Sequence, residues 1–186
     1  MKRFFKLLPI IAVALMISCN QSNDKKVDAT TAEVTVGGQE NVKDSDSQKD
    51  VVKVAVGSKD HTTLVAALKQ ADLVTSLSNA GPFTVFAPTN EAFDKLPKGT
   101  VEGLMKDDRK EELQNILQYH VFMSALSPQA FTDGQSLGMV NGDNVTVSVK
   151  DGKTMLNNSA TIIASIPASN GMIYVIDNVL LPPAKK

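Results

Sequence analysis

The chain has 186 residues, of which 42% are hydrophobic and 5% aromatic, and its formal net charge is −1. This length and apolar content suit one globular domain with additional segments. The charge is not concentrated in the basic stripe that nucleic-acid binding requires, so we expect no nucleic-acid partner. Two distant histidines and a single cysteine give no metal-ligand cluster, and no glycine-rich phosphate loop is present, so we expect neither a metal nor a cofactor.

Residues 1–18 are typical of a signal peptide. Three basic residues precede an apolar run, Leu7–Ile17, which is shorter than the roughly 20 residues that a membrane span needs. The run ends at Leu15–Cys19 (LMISC), which resembles a bacterial lipobox. We therefore predict cleavage before Cys19 and attachment of lipid to its sulfur, which would anchor the protein to a membrane. The alternative is an unmodified free thiol.

Residues 19–49 are predicted to form a flexible tether. From Asn20 to Lys49 the composition is rich in Asn, Gln, Ser, Thr, Asp and Lys and shows no sustained periodicity. A flexible chain of this length spans ~30 Å on average, which is enough to clear the lipid headgroups. Removal of the leader leaves 16 basic and 20 acidic residues, a net charge of −4. The domain is predicted at residues 50–183 and is followed by a frayed tail, 184–186.

The sequence predicts helices in the first part of the domain. Leu64, Leu68 and Ala71 share one helical face. The apolar run from Val51 to Val56 precedes them, and its periodicity alone does not decide between helix and strand. Helix starts are indicated by residues able to accept a hydrogen bond from a free backbone N–H. These candidate N-caps are Asp50, Thr62 or Thr63, Thr89, Thr100, and Asp108 with Glu111 in a capping box.

Between these helices, Phe83–Phe93 (FTVFAPTNEAF) joins a strand directly to a helix. Phe83–Ala87 is aromatic, β-branched or small, which favours a buried strand. Pro88 has no N–H and should end the pairing. Thr89 then caps a predicted helix, Asn90–Leu96.

His120 falls on the apolar face of the next predicted helix, four residues after Ile116 and seven after Leu113. It should therefore be at least partly buried at the helix end. Two interpretations remain open: a core histidine hydrogen-bonded inside the fold, or a residue that contacts a partner.

The periodicity then changes towards two, which indicates strands. Val145, Val147 and Val149 alternate with polar residues between two hairpin signals, Asn141–Asn144 and Asp151-Gly152. A second strand is predicted at Thr161–Ile166, ended by Pro167. In the last strand Ile173, Val175, Val179 and Leu181 share one face. Helices followed by strands indicate an α+β domain.

Three segments in order resemble the signatures of fasciclin-like domains: Phe83–Phe93, then Tyr119-His120-Val121, then Asn170–Pro182 (NGMIYVIDNVLLP). The resemblance covers about Asp50 to Pro182. It implies a wedge-shaped β-sandwich with helices packed on one side, and it favours a helix for Val51–Val56. It also marks candidate structural or binding residues, Thr89, Asn90, Tyr119, His120, Asn170, Gly171 and Asp177. Many members carry His where this chain has Tyr174.

One motif suggests catalysis. Gly134-Gln135-Ser136-Leu137-Gly138 matches the nucleophile elbow of serine hydrolases, which needs a strand–turn–helix corner and a later His. Both histidines precede Ser136 and no helical pattern follows it. We therefore expect a glycine-bounded turn and no enzyme activity, with an envelope serine hydrolase as the disfavoured alternative.

The sequence thus predicts a lipid-anchored protein of the cell envelope, on the periplasmic side or the cell surface, that displays one fasciclin-like domain. The resemblance implies adhesion through extracellular protein or polysaccharide partners. A periplasmic structural role is a further alternative.

Overall fold

The structure is a computed structural model that describes residues 48–183. The predicted signal peptide, the lipidation residue Cys19, the tether up to residue 47 and the tail 184–186 lie outside the described residues. No helix within the described range is long and apolar enough to cross a membrane.

Within residues 48–183 there are six α-helices and seven strands. The helices are α1 (Val51–Val56), α2 (Thr62–Gln70), α3 (Val74–Ser78), α4 (Asn90–Asp94), α5 (Thr100–Leu104) and α6 (Lys110–Gln118). The strands are β1 (Phe83–Pro88), β2 (Val121–Phe122), β3 (Ser136–Gly138), β4 (Asn144–Lys150), β5 (Lys153–Leu156), β6 (Ala160–Ala168) and β7 (Gly171–Ile176).

The strands form one bent sheet in the order β2-β1-β7-β6-β5-β4-β3. β1 and β7 are parallel, whereas the other neighbours are antiparallel. The two ends of the sheet approach each other, because the Val140 N–H donates to the Val121 carbonyl at 2.9 Å. The sheet is therefore nearly closed, in agreement with the predicted α+β wedge.

Two apolar cores lie on opposite faces of β1 and β7. Val85 and Ile173 face the helices, where they pack with residues such as Leu64 and Leu117. Phe86 and Tyr174 face the other half of the sheet and pack among Val145, Val147 and Leu156. All six residues of β1 are buried, because this strand serves both cores.

Two predicted helix caps are confirmed. Asp50 accepts a hydrogen bond from Lys53 N at 2.8 Å, and Thr89 accepts one from Ala92 N at 3.2 Å. The helix after Thr89 is shorter than predicted and ends at Asp94.

The other predicted caps are wrong. Neither Thr62 nor Thr63 caps α2, which instead follows a 3₁₀ turn, Lys59–His61. Thr100 is the first residue of α5, and Gly99 takes the capping position at φ 85°, a conformation that suits glycine. Asp108 lies within a 3₁₀ turn before α6, so it forms no capping box.

Three strand predictions also need correction. Val149 is 37% exposed, because it lies near the end of β4 beyond the packed core. Pro167 does not end β6, which continues to Ala168. The last strand ends at Ile176, so Val179 and Leu181 lie in an irregular segment.

Candidate functional site

The Thr89–Asn90 corner connects three segments of the chain. The side-chain oxygen of Asn90 accepts from Thr63 N at 3.0 Å, and its amide nitrogen donates to the Lys59 carbonyl at 3.0 Å. Asn90 therefore caps α2 from a distant point in the sequence and also holds the 3₁₀ turn that precedes it. Beside this corner is an open polar depression of about 380 Å³, lined by Asp60, Thr89, Asn90 and Glu91.

His61 lies buried near this corner. Its Nδ1 is 2.8 Å from Ser58 Oγ, while its Nε2 lies near the backbone of Ala87 but outside hydrogen-bond geometry. Burial lowers the pKa of His61, and the nearby Asp60 charge partly opposes this effect. His61 is therefore neutral at pH 7.

Tyr119 is 1% exposed and links α6 to the second half of the sheet. Its hydroxyl donates to the Asn144 carbonyl at 2.9 Å and accepts from the Asn157 amide at 2.9 Å. Both hydrogen-bonding functions of the hydroxyl are thus used inside the domain, on strand β4 and on the turn after β5.

His120 is 3% exposed, which confirms its predicted burial. Its Nε2 accepts from Leu180 N at 3.0 Å, so this nitrogen carries no hydrogen. Nδ1 must then carry the hydrogen, and it donates to the Ile116 carbonyl at 2.8 Å. Burial lowers the pKa of His120 to about 4. The neutral ring therefore ties the C-terminal segment to α6.

Asn170 joins the first helices to the sheet. Its side-chain oxygen accepts from Val51 N at 2.9 Å, and its amide donates to the carbonyls of Leu77 and Asn79 at 2.8 and 2.9 Å. Its backbone carbonyl accepts from Phe83 N at 3.0 Å. A single side chain thus holds the start of α1 and the end of α3 against the turn before β7.

Both ends of β7 are constrained. At its start, a Cβ added to Gly171 would lie 1.9 Å from the Phe83 carbonyl oxygen, so only glycine permits this close approach to β1. After its end, the Asp177 carboxylate accepts from Thr161 N at 2.7 Å. The Asp177 backbone carbonyl accepts from the Lys95 ammonium at 2.7 Å.

A second depression, which we call the Met123 groove, lies on the other side of the helical core. It has a volume of about 320 Å³ and a mainly apolar lining. Met123 and Val140 are 64% and 42% exposed at this groove. Its lining residues come from four stretches of the chain: Leu73, Ser76, Leu77, Phe83, Gln118, Val121, Met123 and Val140.

The fasciclin domain family model matches residues 59–182, two thirds of the chain. The chain belongs to the fasciclin family. Protein sll1483 of Synechocystis is 48% identical over 139 residues, covering 75% of this chain and 77% of that protein. Cell surface glycolipoprotein MPB83 of Mycobacterium bovis is 36% identical over 144 residues, covering 75% of this chain and 63% of MPB83.

Two further matches are to longer proteins. Transforming growth factor-beta-induced protein ig-h3 of Sus scrofa is 39% identical over 136 residues, which cover 73% of this chain but only 20% of ig-h3. A solved FAS1 domain pair from the insect cell adhesion molecule Fasciclin I superposes with a TM-score of 0.66 at 16% identity. The match covers 73% of this chain and 51% of that one. At this identity the match supports the fold alone.

The signature residues of this fasciclin domain do not converge on one site. Six of the seven have side chains, and each of these side chains makes a hydrogen bond within the domain. The seventh, Gly171, allows the backbones of β7 and β1 to approach closely. Tyr174, where many members carry His, is also buried: its hydroxyl donates to the Leu126 carbonyl at 2.7 Å, and its ring packs edge-on against Phe131 at 4.9 Å.

The geometry around Ser136 does not assemble a hydrolase site. Ser136 is exposed at the start of β3, and a turn and strand β4 follow it rather than a helix. Neither His61 nor His120 hydrogen-bonds to it: three of their ring nitrogens bond to other residues, and the fourth, His61 Nε2, is buried without a partner. Between residues 48 and 183, no three His, Cys, Asp or Glu side chains are grouped so that they could hold a metal ion.

The Met123 groove is the feature that sequence reasoning missed. Its residues are separated by up to 67 positions, so no local pattern unites them. Local patterns cover only parts of it: Leu73 and Leu77 are four residues apart, and Val121 and Met123 follow Tyr119-His120, although β2 ends at Phe122.

Proposed function

We propose that this protein is a lipid-anchored module of the cell envelope whose fasciclin domain binds protein or carbohydrate partners in adhesion. The relatives support this assignment, since one is named a cell surface glycolipoprotein and the fold neighbour comes from a cell adhesion molecule. The observation that carries it is the Met123 groove, an exposed apolar surface on a domain whose signature residues are bonded internally.

The anchor is proposed at Cys19. The lipobox-like sequence before it supports lipidation, and two or more acyl chains give stable membrane attachment where one does not. Cys19→Ser should move the protein from the detergent phase to the aqueous phase in Triton X-114 partitioning. Ser22→Ala, three residues further on, is the control and should stay in the detergent phase. A Cys19→Ser protein that still partitions with detergent would contradict the anchor.

The contact surface is proposed at the Met123 groove. Apolar residues at the centre of an interface contribute most when they are well packed, and a carboxylate there would have to be desolvated. We expect Met123→Asp and Val140→Asp to reduce attachment of cells to surfaces and to one another, with unchanged melting temperature. Val56→Asp is the matched control, because Val56 is 56% exposed on α1. Attachment equal to wild type in both groove variants would exclude this surface.

Protease treatment of intact cells followed by mass spectrometry separates adhesion from a periplasmic structural role. Peptides released from the domain would favour adhesion, and full protection would favour the periplasmic role. A fluorophosphonate probe tests the hydrolase alternative. Stoichiometric labelling of Ser136 would support that alternative.

A further inference from the structure

Strand β6 has an open edge in the middle of the sheet. β5 pairs only with its first two residues, Ala160 and Thr161. β7 pairs with β6 as far as Ala168. Within residues 48–183, the outer edge from Ile163 to Ala168 therefore has no strand partner, because the second half of the sheet turns away after Thr161.

This edge lacks the charged side chains that usually protect an edge strand against pairing. Natural edge strands commonly carry charged side chains, above all lysine, that prevent association. β6 (ATIIASIPA) has no charged residue, Ile163 is 58% exposed, and Ala164 and Ser165 are also exposed. The edge is limited by a bulge between Ile162 and Ala164 and by the proline at position 167. Beyond Ala168 it is occupied, because Ser169 N donates to the Lys49 carbonyl at 3.0 Å.

Pro167 fixes which backbone groups face outwards. It lies opposite Met172 of β7 in an antiparallel ladder, where residues alternate between bonding to the partner strand and pointing away from it. A proline has no N–H, so it is accommodated where that group would point away from the partner. Ser165, two residues earlier and on the same side of the bulge, therefore directs both its N–H and its carbonyl to the open edge.

We propose that this edge binds the same edge of a second copy of the chain, in antiparallel orientation about a two-fold axis at Ser165. The Ser165 N–H of each copy donates to the Ser165 carbonyl of the other, so donors and acceptors match themselves. Ile163, which lies at the bulge, and Pro167 flank Ser165 in each copy, so uncharged side chains adjoin the axis. Such an interface is isologous and closes at two copies.

A second copy fits this edge better than an unrelated strand for two reasons. The outward groups are self-complementary around Ser165, and the absence of charge from Ala160 to Ala168 removes like-charge repulsion across the axis. Pro167 withholds one donor from each end of the ladder, which makes the pairing reversible. The pairing itself does not depend on the lipid anchor, although anchoring would raise the local concentration.

Disulfide trapping tests the register. In a Cys19→Ser background, Ser165→Cys places the two sulfurs across the axis, where Cα atoms of a hydrogen-bonded pair are about 5.5 Å apart, within disulfide range. We expect a disulfide-linked dimer on mild oxidation. Thr132→Cys, also exposed, is the control and should remain monomeric. If both variants cross-link at the same rate, or neither does, the proposed register is wrong.

Sedimentation equilibrium over a concentration series tests the dimer without cysteine. Ile163→Lys should weaken the dimer about tenfold or more, whereas Val56→Lys, at a similarly exposed valine, should not. Pro167→Thr restores one donor per copy and should tighten the dimer by about tenfold. A chain that stays monomeric at every concentration overturns the proposal. So does equal weakening by Ile163→Lys and Val56→Lys, which would assign the dimer to another surface.

Discussion

Lowering the pH should destabilise this domain through His120. The ring is neutral and buried, with Nε2 accepting from Leu180 N and Nδ1 donating to the Ile116 carbonyl. Protonation would put a hydrogen on Nε2, directly facing the Leu180 N–H. Two donors would then oppose each other, and a charge would be buried among apolar side chains.

The size of this effect follows from the pKa. In the unfolded chain the pKa of His120 is 6.5, and in the folded domain burial lowers it to about 4. Between these values the unfolded state binds more protons, so stability is complete above pH 6.5 and falls as the pH decreases towards 4. A difference of about 2.5 units corresponds to a loss of about 3 kcal/mol over that window. The lowered pKa of His61 acts in the same direction.

Urea unfolding followed by circular dichroism at pH 4 to 7.5 measures this loss, and His120→Gln is the comparison because glutamine does not titrate. The wild-type free energy of unfolding should fall relative to the variant by about 3 kcal/mol between pH 7 and pH 4. At pH 7 the variant His120→Ala should be less stable by about 1–3 kcal/mol, since Leu180 N loses its acceptor. If the difference in unfolding free energy between wild type and His120→Gln does not change with pH, the reasoning is refuted. If His120→Ala keeps its stability but loses adhesion, His120 contacts a partner instead.

Four other residues give separate predictions, each measured as a change in the free energy of unfolding. Asn170→Ala removes three hydrogen bonds, and we expect a loss of about 2–4 kcal/mol. Gly171→Ala should cost more than about 3 kcal/mol, because the new methyl overlaps the Phe83 carbonyl, and a smaller loss would mean that β1 and β7 can separate. Thr89→Ala should cost about 1 kcal/mol and Thr89→Ser much less, because serine keeps the cap. Tyr174→Phe should cost about 1 kcal/mol by leaving the Leu126 carbonyl without its donor, and no loss would indicate that water replaces the hydroxyl.

Sequence reasoning succeeded where the interaction was local. Asp50 and Thr89 were predicted as caps because each bonds to a backbone N–H three residues later. It failed for α2, whose first turn bonds to Asn90, 27 residues beyond Thr63. The Asn90 amide reaches the start of α2 only when the chain folds, so no local sequence pattern indicates this cap.

The predicted ends and burial of the strands are wrong for a related reason. The alternation in β4 was correct, yet burial of Val149 depends on how far the opposing core extends, which is a tertiary property. Because proline cannot donate to a ladder, the sequence predicts a strand end at Pro167. Within β6 its ring faces an edge that β5 has left, so no donor is required there and the strand continues.

The residues that carried the family resemblance are those that hold the fold together, and this limits what the resemblance says about binding. Asn90, Asn170 and Asp177 use their side chains to connect segments far apart in sequence, and Tyr119 and His120 are buried. These contacts hold the wedge-shaped fold together and do not identify a binding partner. We therefore place the proposed partner contacts on exposed residues outside these internally bonded positions. In this chain the most exposed large apolar side chains on the described surface are Met123 at the groove and Ile163 on the open strand edge. Changing either should therefore alter association and leave the melting temperature unchanged, the opposite of what the signature residues should show.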